Sequence, residues 1–331
     1  MAAAVNRRLL MKLGAVAGTA ALAAPQIMTR AAFAQTSQAL QRPDVGNAGF
    51  HRFNLGDFEI TTYLDGMRPG EGPYPTFGAD QDQAAVEALM VENFLPPKRM
   101  VNMFNPVLVN TGSELVLFDT GMGAEGREAG MGQLTRRIAD SGYSPADITM
   151  VVITHMHGDH INGLMEGDQP AFIGARYVAG QIEWDFWTSP ERTGTQAEGN
   201  AKAVQAKVVP LKDKMSFIGD NANVTAGVTG MAAPGHTPGH MVFMLESGGR
   251  KLLLTADTAN HYVASLQRPD WEVSFDVDKA QAAQTRKTVF GMLAAEKMPF
   301  IGYHMPHPSV GFVEPLETGF RFVPATYQFE V

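Results

Sequence analysis

The chain has 331 residues, 45% of them apolar, and a formal net charge of −8. That is ample material for a large α/β core, and the absence of a basic stripe excludes a sequence-independent nucleic-acid surface. There is no cysteine, which excludes disulfides, thiolate nucleophiles and thiolate ligands, so a transition metal must be held by imidazole and carboxylate.

Residues 1–34 read as an export address. Arg7, Arg8 and Lys12 precede an Ala- and Leu-rich stretch, "LGAVAGTAALAA", which leads to Ala32-Phe33-Ala34, an A-x-A-like cleavage site. The pattern is that of a bacterial twin-arginine signal, which makes the export machinery a partner and the periplasm or exterior the destination. An ordinary secretory signal and an uncleaved anchor are the competing readings, although the apolar run falls short of the ~20 residues of a bilayer span. Removing 1–34 takes four basic residues and no acid, which moves the net charge from −8 to −12.

Residues 35–49 form a polar lead-in to a domain over 50–331. "FHRFNLGDFEITTYLDG" alternates about a Gly-Asp turn and predicts a hairpin. Residues 67–80 are loop by composition. Val86, Leu89, Met90 and Phe94 repeat at helical spacing until Pro96-Pro97. Residues 105–121 predict two short strands ending at Asp119-Thr120-Gly121, Met131, Leu134 and Ile138 a helix, and 147–154 a buried strand. Further on, "ARYVAG", "AKVVPL", "VTAGVTGMAAPGH", "MVFMLES" and "KLLLTADT" predict mostly strands, followed by a helix over 278–296 and a last strand, "FIGYH". Two strand groups accompanied by helices favour a layered sandwich over a doubly wound parallel sheet.

The chemistry is concentrated in "THMHGDH", residues 154–160. Alternate residues of an extended segment point to one side, so His155 and His157 can converge on one ion. Asp159 and His160 can aim at a neighbouring position. A catalytic site needs three protein ligands and an open position, so the cluster requires help from elsewhere. His236 in "APGHTPGH", Asp257 in "LLLTADT" and His304 in "IGYHMPHP" stand at later strand ends. Imidazole with carboxylate suits Zn²⁺ and accommodates Mn²⁺, Fe²⁺ or Co²⁺.

"HMHGDH", "PGHTPGH", "TAD" after a Leu-rich strand and the histidine after "FIGY" resemble the metallo-β-lactamase superfamily, over nearly all of 50–331. The resemblance implies an α+β fold, an αββα sandwich of two mixed sheets flanked by helices. It implies two divalent metals, most simply zinc. His155, His157 and His236 would hold one, Asp159, His160 and His304 the other, and Asp257 would bridge them beside a hydroxide. Within the superfamily, "LGDFEIT", "THMHGDHINGLM", "HTPGH" and "FRFVPATY" are similar to the methyl parathion hydrolase group, which includes arylester and lactone hydrolases and implies an exported homodimer. Two departures are visible. Gly311-Phe312 replaces a glycine-histidine, and "MGAEGREAGMG" lacks the aromatic residue that cradles aryl leaving groups there, which argues against high phosphotriesterase activity.

Shared by two cations, water ionises near pH ~7 and the hydroxide can attack a carbonyl or phosphorus. Asp159 and Asp257 are then the catalytic carboxylates, Asp159 as ligand or proton acceptor. Asp119 is the expected acceptor for a ligating imidazole's second N–H. His240 either plays a similar supporting part or closes the "TPGH" turn. Trp184, Phe186, Trp187, His261, Tyr262 and Tyr303 are candidates for the substrate pocket. The expected function is hydrolysis of a small lactone or aryl ester, with promiscuous phosphotriesterase activity. The alternatives are a periplasmic β-lactamase and a non-hydrolytic di-iron protein on the same scaffold.

Overall fold

The computed structural model describes residues 48–325. The export signal and all but the end of the lead-in lie outside the described residues. No helix among the described residues is long and apolar enough to cross a membrane.

Two seven-stranded mixed sheets face each other. The first begins with the hairpin Phe50–Leu55 and Phe58–Tyr63, continues antiparallel through Val107–Asn110 and Leu115–Phe118, and then runs parallel through Met150–Ile153, Arg176–Gly180 and Met215–Ile218. The second runs in chain order from Ala222–Thr225 to Gly319–Pro324, with one parallel pairing, Arg250–Ala256 against Phe300–Gly302.

Period-two alternation divides each strand between two cores. Val116, Phe118, Met150 and Val152 point inward and meet Phe243, Leu245, Leu252 and Leu254 of the opposite sheet. Leu117, Val151 and Ile153 point outward, under Leu134, Ile138 and Trp187. The second sheet's outer face is covered by the helix Lys279–Glu296, which buries Phe290 and Leu293 against Leu253 and Phe300. Cover on both faces explains why "MVVI" is apolar at every position. The architecture is the αββα sandwich the sequence implied.

Several local expectations are corrected. Residues 66–71 form a strand, Gly66–Glu71, paired with Arg99–Phe104. Its Gly and Pro are tolerated because this is a solvent-facing two-stranded ribbon. The first helix ends at Glu92, leaving Phe94 beyond it at 98% exposure. Met131 precedes the helix Leu134–Asp140. "AKVVPL" is the end of the helix Glu198–Lys207 and a 3-10 turn, with Val204, Val208 and Leu211 buried at helical spacing. "FIGYH" is followed by two more strands, Val310–Leu316 and Gly319–Pro324.

Candidate metal centre

The strands Leu115–Phe118, Met150–Ile153, Arg250–Ala256 and Phe300–Gly302 deliver Asp119, His155, Asp257 and His304 just beyond their last residues. Asp119 and Ala256 take left-handed φ angles of 59° and 44°, which turn the chain sharply at these ends. Non-glycine residues adopt that region at a cost of about 1–3 kcal/mol each, typically where a site requires it.

Three groups of ligand atoms converge, each with its members within 4.8 Å of one another: His155 with His157 and His236, His155 with His160 and Asp257, and Asp159 with His160 and His304. His157 Nδ1 lies 3.1 Å from His155 Nε2 and 2.9 Å from His236 Nε2. A single imidazole nitrogen offers one proton or one lone pair, so it cannot make a full hydrogen bond to each of two neighbouring imidazole nitrogens. Ligand bonds of about 2.0–2.1 Å in a tetrahedron place donor atoms roughly 3.3 Å apart, a few tenths of an ångström wider than the spacing seen.

Asp257 stands between the groups. Its Oδ2 is 3.2 Å from His236 Nε2 and 3.1 Å from His304 Nε2, and its Oδ1 is 3.2 Å from His160 Nε2. Asp159 Oδ2 is 3.6 Å from His160 Nε2 and 3.4 Å from His304 Nε2. His160 Nε2 and Asp257 Oδ1 are buried without a hydrogen-bond partner. Orphaned buried polar atoms are costly, and a divalent cation would satisfy both. The donor set, five imidazoles and two carboxylates without sulfur, fits such a cation. Burial, then the crowding His160 and His236 respectively, hold His155 and His157 well below the usual imidazole range, whereas against the effect of burial Asp257 above all draws His160 and His236 above it. Burial alone would raise the Asp257 carboxyl, but His304, His160 and His155 draw it well below its ordinary value.

Outer partners fix these rings. His160 donates from Nδ1 to Asp119 Oδ2 at 2.8 Å, and Asp119 also accepts the backbone N–H and hydroxyl of Thr154. His304 Nδ1 donates to the Met103 carbonyl at 2.8 Å. His236 Nδ1 donates to Asp276 at 2.9 Å, and buried Arg286 holds the other oxygen of Asp276 at 3.0 Å. Sequence reading missed Asp276 and Arg286, since nothing in the motifs points 40 residues downstream. His240 donates to the Ala233 carbonyl, and its Nε2 accepts the Asp257 backbone N–H at 3.1 Å. Burial, then His236, push its pKa down to about 3, which keeps it a neutral acceptor.

A cleft of about 400 Å³ opens over the centre. Its aromatic surface is Phe104 and Phe275, joined by Met122, Arg68, Asn102 and Asn260. None of the six residues expected to line it does so. Trp187 is buried edge-on against His157 at 5.7 Å, Trp184 packs on Phe217 and Phe186 lies under Arg192. Their helix, Gln181–Thr188, turns these rings toward the first sheet's outer core. His261 and Tyr262 line a separate apolar groove of about 290 Å³ on the other side of the Gly66–Glu71/Arg99–Phe104 ribbon. Tyr303 stacks on His160 at 3.9 Å and donates its hydroxyl to the Asp159 carbonyl at 2.6 Å. Arg68 falls in the 67–80 stretch expected as loop, and Asn102 and Phe104 lie in a strand that the sequence reading assigned to no element.

The sequence profile of the Metallo-beta-lactamase superfamily matches residues 102–295, more than half of the chain. The chain belongs to this superfamily. The structure of AidC, a dizinc quorum-quenching lactonase in complex with a product, aligns at 29% identity with a TM-score of 0.79, over 85% of this chain and 98% of that one. The hydrolase AbOPH, of the beta lactamase superfamily, aligns at 23% identity and TM-score 0.78 over 86% and 99%, a likeness of fold. Among curated proteins, an atrochrysone carboxyl ACP thioesterase of Cryptosporiopsis sp. is 27% identical over 61% of this chain and 52% of its own length. An N-acyl homoserine lactonase of Bacillus sp. is 27% identical over 36% of this chain and 41% of its own. The chain spans about half the length of the curated relatives it matches.

Proposed function

We propose that this protein is a dinuclear metal-dependent hydrolase that opens small lactones or aryl esters, with phosphotriester cleavage as a minor activity. The observation that carries the reading is Asp257, whose carboxylate lies within 3.2 Å of His236 and His304 through one oxygen and of His160 through the other. His155, His157 and His236 would hold one cation and Asp159, His160 and His304 the other, with Asp257 placed to serve both. Zinc is the simplest occupant on this donor set, and the dizinc lactonase AidC supports it.

When bound, such a pair supplies Lewis acidity that makes water a nucleophile near neutral pH and polarises the scissile carbonyl. The protein's own residues do the rest. Asn260 donates to Asp257 Oδ2 at 2.8 Å and fixes the shared carboxylate. Asp159, with a side chain 23% exposed, faces the cleft and can carry a proton to the departing oxygen. Phe275 flanks the cleft and binds the apolar part of the substrate, with Phe104 buried behind the wall against His304. Because Phe275 supplies aromatic surface absent from "MGAEGREAGMG", an aryl group can still be bound. We further propose that residues 1–34 direct export through the twin-arginine machinery.

The test is a comparison of initial rates for dihydrocoumarin, dimethyl paraoxon and a chromogenic cephalosporin with zinc-loaded protein. Fast lactone opening, slow phosphotriester cleavage and negligible cephalosporin turnover are expected. Cephalosporin cleavage exceeding lactone opening would replace this reading with a β-lactamase.

A further inference from the structure

We infer that Glu183 is a positioning residue for one half of the centre, fastening the loop that carries His155 and His157 to the loop that carries His236. The inference rests on the ligand assignment proposed above and assigns Glu183 no contact with substrate.

Glu183 is fully buried yet lies on none of the cleft walls. Its Oε1 accepts the backbone N–H of Met156, between His155 and His157, at 2.8 Å. The same oxygen accepts the Trp187 indole N–H at 2.7 Å, and that indole packs edge-on against His157. Its Oε2 accepts the Thr237 hydroxyl at 2.7 Å and the Gly239 N–H at 3.0 Å, both just after His236. One carboxylate therefore satisfies four donors from three segments, and both ligand loops are among them. An acceptor-only group with two oxygens is the natural partner for such a set, and leaving those donors unmade in the interior is costly.

The approach is close. A Cβ on Gly239 would fall 2.1 Å from the Glu183 backbone nitrogen, so glycine is required for the loop to reach the helix Gln181–Thr188. Among the described residues, Glu183 makes no hydrogen bond to Asp159, His160 or His304. Its influence should therefore fall on the site of His155, His157 and His236 and spare the other.

Glu183→Gln keeps the volume but turns an amide N–H₂ toward two donors. Thr237→Val removes one of the four bonds and serves as the milder variant should Glu183→Gln fold poorly. Leu293→Ala, a truncation in the remote core under the helix Lys279–Glu296, controls for general destabilisation. Metal-free protein is titrated with Zn²⁺ against a chelating dye, and Co²⁺ spectra are recorded in parallel.

In wild type, two binding steps are expected. Glu183→Gln should weaken one step by roughly 10–100-fold and leave the other in place. Thr237→Val should weaken the same step by several-fold, and Leu293→Ala neither. The Co²⁺ bands of the weakened site should be lost first. Unchanged affinities in Glu183→Gln, or an equal fall in both steps that Leu293→Ala reproduces, would overturn the inference. Absence of any step in wild type would overturn the ligand assignment beneath it, a result readable before any variant is made.

Discussion

The Asp119 carboxylate accepts the Nδ1–H of His160 at 2.8 Å, with both side chains buried. This bond fixes the tautomer that leaves His160 Nε2 pointing at Asp257. An acceptor behind a ligating imidazole raises its basicity and holds its orientation. Asp119→Asn keeps the shape and removes the charge. We expect metal affinity to fall roughly 10–100-fold with little change in secondary structure. Equilibrium dialysis measures it, and an unchanged affinity would show that Asp119 merely shapes the turn.

Asp257 is the residue that both halves of the proposed centre would share. Asp257→Asn removes one charge where His160, His236 and His304 converge. On the scale of losing one strong electrostatic stabiliser, kcat should fall by about 10²–10³-fold. Steady-state kinetics at saturating metal checks it. A loss confined to KM would place Asp257 outside the chemistry.

Phe275 is half-buried on the cleft wall and makes none of the contacts that hold the ligands. Phe275→Ala should raise KM for an aryl lactone by about 10-fold, the scale of an aromatic contact worth ~1.4 kcal/mol, with kcat nearly constant. Comparison with an aliphatic lactone isolates the ring's contribution, and an equal effect on both substrates would refute the assignment.

His261 carries a pH prediction independent of the metals. Its Nδ1 accepts the backbone N–H groups of Val263 and Ala264, each at 3.1 Å, and burial pushes its pKa from 6.5 down to about 4. The folded state thus prefers the neutral ring. The associated stability is fully present above pH ~6.5, where the unfolded chain is also neutral, and is lost as pH falls toward 4. It is on the order of 3 kcal/mol. His261→Asn retains an acceptor without titrating, so urea denaturation between pH 6.5 and 4 should show a shallower loss. Parallel curves for the two proteins would refute the argument.

The convergence of histidines and aspartates was legible because it compresses into short motifs at strand ends. His155, His157, Asp159 and His160 share seven positions, and His236, Asp257 and His304 each follow an apolar run. The cores were legible too, since the unbroken apolar runs "LVLF" and "MVVI" reflect strands covered on both faces. The substrate cleft was not. Trp184, Phe186 and Trp187 are aromatic on a helix, and only tertiary packing decides that they face Phe217, Arg192 and His157. Phe104 ends the strand Arg99–Phe104, whose pairing with Gly66–Glu71 no local spacing reveals. Asp276 and Glu183 are far in sequence from the groups they hold, so no local spacing reveals them. "AKVVPL" is different, since the burial period of Val204, Val208 and Leu211 was already present in the sequence.

The most direct test of the account is the zinc content of the purified protein at saturation, measured by mass spectrometry of the intact native chain beside Asp257→Asn. Two zinc ions per chain in wild type, with one or both lost in the variant, is the predicted result. A single zinc in wild type, retained when Asp257 is replaced, would contradict the shared-carboxylate centre.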